Sequence, residues 1–164
     1  VHNLSIDNCQ NFAAKYLRSP GLKIAEVGGA GVGGSYRAFV NFPIPYTYMI
    51  FDLEPTKHVN VVLNSPEQWL LPEEHIGAYD VIISGQTLEH VRRPWIWIHQ
   101  FVQLAKPNAL VFLTAPNTWD FHEYPIDCWR IWPDGMRALF EDAGIEEIEC
   151  FARHTDTVGI GRVR

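Results

Sequence analysis

Residues 22–34 read Leu-Lys-Ile-Ala-Glu-Val-Gly-Gly-Ala-Gly-Val-Gly-Gly, a short apolar run that passes straight into glycines. Leu22 to Val27 has the length and continuity of a buried strand, and Ser35 to Phe42 beyond the glycines is expected to turn as a helix. Glycines at such a junction let the backbone come close to a ligand and leave the first N–H groups of the helix facing it. The stretch satisfies Gly-x-Gly-x-x-Gly literally from Gly29 to Gly34, and Glu-x-Gly-x-Gly-x-Gly loosely from Glu26 to Gly33. Alone it does not choose among nucleotide-like ligands.

Working outward, Tyr46 to Phe51, Val59 to Leu63, Tyr79 to Ser84 and Ala109 to Thr114 read as further strands buried on both faces. Helical spacing recurs over residues 5–18, where Ser5 and Asp7 are cap candidates. It recurs from Pro94 to Leu104, closed by Lys106-Pro107-Asn108, and from Pro133 until Gly144 stops it. Ile145 to Arg153 and Thr157 to Val163 read as a tightly joined antiparallel pair. Strands alternating with helices from end to end predict an α/β fold in one domain, residues 1–164. Asp52, at the tip of the second strand, is placed to accept hydrogen bonds from both hydroxyls of a ribose lying across the strand ends.

The formal net charge of −6 leaves no basic field to neutralise a phosphate backbone, so no nucleic-acid partner is expected. No apolar run is long enough to span a bilayer, and the start lacks a secretory leader, which reads as no membrane partner and a cytoplasmic protein. Cys9, Cys128 and Cys150 are scattered and odd in number, and read as reduced thiols. The missing initiator Met and the abrupt end at Val163-Arg164 read as a trimmed chain.

Asp80-Val81-Ile82-Ile83-Ser84, followed by Gly85-Gln86-Thr87-Leu88-Glu89-His90-Val91, resembles the fourth motif of class I S-adenosylmethionine (SAM)-dependent methyltransferases. The likeness extends to Gly34-Ser35-Tyr36-Arg37 and to His122-Glu123-Tyr124-Pro125-Ile126-Asp127-Cys128-Trp129-Arg130, a pattern of a bacterial methyltransferase type 11-like subgroup. The resemblance implies a Rossmann-like three-layer sandwich whose seven-stranded, mostly parallel sheet has the order 3-2-1-4-5-7-6. It implies SAM as cofactor, held by Glu26, Gly28, Gly29, Gly31, Asp52, Asn64, Ser65 and Gln86. Two departures stand out: Lys106-Pro107-Asn108-Ala109 replaces Lys-Pro-Gly-Gly, and Asn64 replaces an acid found near the adenine.

The implied function is methyl transfer to a small-molecule acceptor, a metabolite or sugar-like compound. A SAM-binding partner or regulatory module without turnover, and an NAD(P)-dependent oxidoreductase, are the alternatives; a homo-oligomer or larger assembly stays open. Displacement from a sulfonium needs little catalytic machinery beyond orientation and, for an acceptor with a mobile proton, a base near neutral pKa. His122 is expected to be that base, and His90 to form pocket wall, with pinning of a loop as its structural alternative. Tyr124, Asp127 and Arg130 are expected at the acceptor, although Arg130 is equally suited to locking the segment through Asp127. Ala115 to Trp132 is longer than most connections, and its aromatic residues suit a flat or apolar acceptor. Some methyltransferases with a Glu-x-x-Glu-His segment bind magnesium there. Glu89, His90 and His122, together with another acid, could make an oxygen and nitrogen site, but Gln86 takes the place of the first Glu, so no metal is expected.

Overall fold

The computed structural model describes residues 2–30 and 34–164. Among the described residues, seven strands form one sheet: β1 (Leu22–Val27), β2 (Tyr46–Asp52), β3 (Val61–Val62), β4 (Tyr79–Gly85), β5 (Ala105–Pro116), β6 (Ile145–Arg153) and β7 (Asp156–Val163). Three helices flank it: α1 (Asn3–Tyr16), α2 (Pro94–Val102) and α3 (Pro133–Asp142). The order across the sheet is β3-β2-β1-β4-β5-β7-β6. β1 to β5 pair in parallel, and β7 runs antiparallel to both its neighbours. This is the Rossmann-like α/β architecture, and its strand order reverses between β1 and β4, where the carboxyl ends open a crevice.

Because successive side chains of a strand point to opposite faces, the central strands feed two cores. Ile24, Val81, Ile83 and Phe112 pack with Cys9, Phe12 and Ala13 of α1. Ala25, Ile82, Val111 and Leu113 pack on the other face with Trp97, Ile98 and Phe101 of α2 and Met136 and Phe140 of α3. α2 begins on Pro94, whose fixed φ suits a first turn, and buries the Trp97–Ile98–Phe101 side of its surface. β6 is an outer strand with Glu146 and Glu147 exposed, while Glu149 meets Lys15 and Tyr16 of α1. No described helix is long and apolar enough to cross a membrane.

Four elements differ from their expected form. In place of a helix over 35–42 there is a single 3-10 turn, Tyr36–Ala38. Tyr36 is tied at both ends, its backbone N–H to Glu26 (3.1 Å) and its hydroxyl to Ser5 (2.5 Å), and Pro43 follows soon after. That same hydrogen bond takes Ser5 away from capping: α1 starts at Asn3 and carries Ser5 buried within it. β3 is cut to two residues, and β5 begins at Ala105 rather than Ala109. An irregularity between Tyr79 and Val81 absorbs Lys106-Pro107-Asn108, with Asn108 at φ +66° and Lys106 paired to Asp80 at 2.6 Å.

Candidate active site

β1, β2 and β4 end at one edge of the sheet, and the residues at their tips line a cavity of about 800 Å³. Gly28 leaves β1 at φ +85°, donates its N–H to the Phe51 carbonyl (2.9 Å), and lies so close to Thr87 that a Cβ would overlap that side chain. A glycine is therefore required there, both for its left-handed backbone and for the space. Asp52 at the tip of β2 lines the cavity and is held by two backbone donors, Ala30 to Oδ2 (2.8 Å) and Glu54 to Oδ1 (3.1 Å). A carboxylate offers about four lone-pair positions, so roughly half remain for ligand hydroxyls. Gln86, at φ +56° just past β4, also lines the cavity and donates to Asp156 (3.3 Å). A cavity of this size, with a fixed carboxylate and an open glycine backbone, fits a nucleoside sulfonium such as SAM.

The other residues expected at the cofactor have different surroundings. Glu26 is buried beneath the glycine junction, accepting from the Ser35 hydroxyl, the Tyr36 N–H and the Tyr48 hydroxyl, and does not line the cavity. Its burial pushes the carboxyl pKa up despite these bonds. Gly29 sits over that carboxylate and Ile50, with no room for a Cβ. Asn64 spends its amide within its own turn, accepting from the Leu70 N–H (2.8 Å) and donating to the Gln68 carbonyl (3.3 Å). The Ser65 hydroxyl accepts from the N–H groups of Glu67 and Gln68. Both brace their own turn and are not among the residues that line the cavity. Gly31 lies outside the described residues.

The segment 117–132 folds back over the strand ends. Arg130 fixes it: the guanidinium makes a two-pronged pair with Asp127 (2.6 and 2.7 Å) and donates to the carbonyls of Trp119 and Asp120 (2.7 and 2.8 Å). Arg130 holds the Asp127 carboxyl down at about 2. Neither residue lines the cavity, and their pairing locks the segment, the alternative that the sequence offered for Arg130. Tyr124 does line it, with its hydroxyl turned to Glu54 (3.3 Å).

His90 and His122, from a 3-10 turn after β4 and from the folded-back segment, meet edge to face with ring centres 5.1 Å apart. His90 Nδ1 lies 2.5 Å from the Ile126 carbonyl oxygen; because a carbonyl only accepts, Nδ1 carries the proton and Nε2 is left as an acceptor. His90 thus both pins the segment and forms cavity wall. His122 Nδ1 faces the Asp120 carbonyl at 3.0 Å in the same manner. Burial pushes the His90 pKa down. Beneath the two rings lies Glu89, fully buried, with neither carboxylate oxygen hydrogen-bonded among the described residues. Burial, with the Asp127 charge adding to it, pushes its pKa up to about 8.

Sequence reasoning singled out both histidines and weighed Glu89 beside them only as part of a metal site that Gln86 disfavours, without expecting its carboxylate to be fully buried. The signal was present in Leu88-Glu89-His90, where a carboxylate next to a buried leucine at a strand end is an expensive group to bury unpaired. His2 and Trp97 also line the cavity, and nothing local in the sequence announces that.

The sequence matches the family model described as methyltransferase domain over residues 9–150. No curated protein matches it. Among solved structures, the chain is similar to a SAM-dependent methyltransferase from Aquifex aeolicus, with a TM-score of 0.70 and 16% identity over 96% of this chain and 90% of that one. It is similar to a chain of the complex between the Haloferax volcanii Trm112 methyltransferase activator and a methyltransferase (TM-score 0.68, 13% identity, 97% and 89% covered). It also resembles the [4+2]-cyclase SpnF (TM-score 0.66, 12% identity, 96% and 80% covered). At such identities likeness speaks for architecture alone, as the cyclase illustrates. The family match runs from α1 into β6, and it is on this ground that the chain belongs to the methyltransferase domain family, an enzyme that takes its methyl group from SAM.

Proposed function

We propose that the enzyme methylates a small-molecule acceptor, a metabolite or sugar-like compound, held beneath segment 117–132. One observation carries the reading: a single cavity is lined both by Gly28, Asp52 and Gln86 and by His90, His122 and Tyr124. Donor and acceptor therefore share one chamber, as an in-line displacement requires. The net charge of −6 disfavours a polyanionic acceptor.

When bound, SAM supplies a methyl group already activated on its sulfonium. Asp52 accepts hydrogen bonds from the ribose hydroxyls with the lone pairs that Ala30 and Glu54 leave free. Gly28 lets the backbone approach the ligand without a side chain between them. His122, its Nδ1 proton directed at the Asp120 carbonyl, presents the Nε2 lone pair and takes the proton that the acceptor loses. The exposed edges of Trp119 and Tyr124 give the acceptor apolar walls.

Calorimetric titration with SAM, its demethylated product and NAD tests the donor side, with binding expected for the first two only. Asp52→Ala should weaken SAM about tenfold or more, the loss of charge-assisted hydrogen bonds, while turnover at saturating SAM changes little. His122→Ala should lower release of labelled methyl from SAM by roughly 10²- to 10⁴-fold and leave SAM affinity intact. Unchanged turnover in that variant removes His122 as the proton acceptor.

A further inference from the structure

Glu89, His90 and His122 each offer one ligand atom, and the three atoms lie within 4.8 Å of one another on the cavity wall. Glu89 Oε1 is 3.6 Å from His90 Nε2 and 4.0 Å from His122 Nε2. With Glu89 ionised, all three atoms are acceptors. The Nδ1 protons of both rings are already committed to the Ile126 and Asp120 carbonyls, so the Nε2 lone pairs turn inward. The Glu89 carboxylate, with no exposed surface, has no donor among the described residues. In that state three electron pairs converge on one point, and a buried carboxylate left so is costly unless a proton or a cation meets it.

We infer that these three residues hold a divalent transition-metal ion. Two imidazoles and one carboxylate form a donor set suited to Zn²⁺, Co²⁺, Mn²⁺ or Fe²⁺ rather than to Mg²⁺ or Ca²⁺, which take oxygen ligands. The absence of a carboxylate at Gln86 argues against magnesium, and has no such force against an ion that accepts nitrogen. Ligand bonds of about 2.0–2.2 Å require the three atoms to draw together by roughly half an ångström to an ångström, which the partly exposed His122 ring can supply. The second shell is in place: both histidines are oriented through Nδ1 by backbone carbonyls, and the Asp127 carboxylate stands 3.5 Å from His122 Nδ1.

Three protein ligands leave positions open on the cavity side, as in sites where an ion also holds substrate. The ion selects for an acceptor that presents a hydroxyl or anionic oxygen; this last step rests on the methyl-transfer reading, whereas ion binding does not. An ion held here occupies the one lone pair of His122 Nε2, so His122 is a ligand in the metal-bound protein and a proton acceptor only in the metal-free one.

The test uses tag-free protein and Co²⁺ alone, followed by visible absorption and calorimetry. One equivalent should bind, with absorption bands stronger than those of aqueous Co²⁺; Zn²⁺ should displace it and a hundredfold excess of Mg²⁺ should not. His122→Ala and Glu89→Gln should each weaken Co²⁺ at least tenfold, and SAM titration of each variant reports whether it is folded. His122 is 37% exposed, so its truncation keeps the test open should the buried Glu89→Gln variant fail to fold. No binding, equal competition by Mg²⁺, or Co²⁺ affinity that survives His122→Ala overturns the inference, and each of these outcomes is independent of whether SAM binds.

Discussion

Three elements converge on the carboxylate of Glu26: the hydroxyls of Ser35 and Tyr48 donate to it, and so does the N–H of Tyr36. Burial outweighs them and pushes its pKa above the ordinary 4.5. The folded state then binds this proton more tightly than the unfolded chain. That contribution is complete below pH 4.5 and is lost as the pH rises through the folded value. Glu26→Gln, which keeps the shape and removes the charge, should flatten the fall of melting temperature with rising pH from that point. An unchanged slope by calorimetry would show that the charge is stabilised by its three donors instead. Glu26 also marks a limit of sequence reading. The Glu-x-Gly pattern placed it correctly at the end of β1, but a side chain's face depends on which hydroxyls arrive from β2 and the turn at Ser35, and no local spacing records that.

Segment 117–132 has little regular structure, and beside the bonds that tie it to His90, Glu89 and Val91 its internal shape is fixed by one side chain. Five hydrogen bonds end on the Arg130 guanidinium, two of them from the planar fork to Asp127. Charge-assisted hydrogen bonds contribute roughly 1.5–3 kcal/mol each when removal strands a partner. Arg130→Ala should therefore speed amide hydrogen exchange over residues 119–127 at least tenfold, and Arg130→Lys should restore little because an ammonium cannot reproduce the fork. The regular elements were the legible ones. β1, β2, β4, β6 and β7 were read to within about a residue, the central ones because strands buried on both faces write themselves as apolar runs, the half-exposed β6 through its tight connection to β7. The turn at Tyr36–Ala38 was not, since the bond from Tyr36 to Ser5 that shapes it spans distant residues. For the same reason both histidines were recognisable from their own motifs, but their meeting over Glu89 required the segment to fold back. At Asn64 the sequence could not show that the amide bonds to Leu70 and Gln68 of its own turn.

The molecule is a sheet with one apolar core on each face, and Phe112 of β5 is central to the α1 side. It stacks with Phe12 (5.1 Å between ring centres) and meets Tyr36 edge-on, with no exposed surface. Phe112→Ala should cost about 3–5 kcal/mol in chemical denaturation, the range for losing a buried aromatic. It should also loosen the glycine junction, because Tyr36 and α1 lean on the same ring. The chain order 3-2-1-4-5-7-6 leaves β6 at a rim whose unpaired backbone would otherwise recruit a strand from another copy. Glu146 and Glu147 place charge along that rim, Glu147 paired with Arg137, and charged side chains on an edge strand disfavour the edge-to-edge approach of a second molecule. The same acidic border thus guards a crowded solution of this enzyme against cross-β growth, a protection that added salt screens.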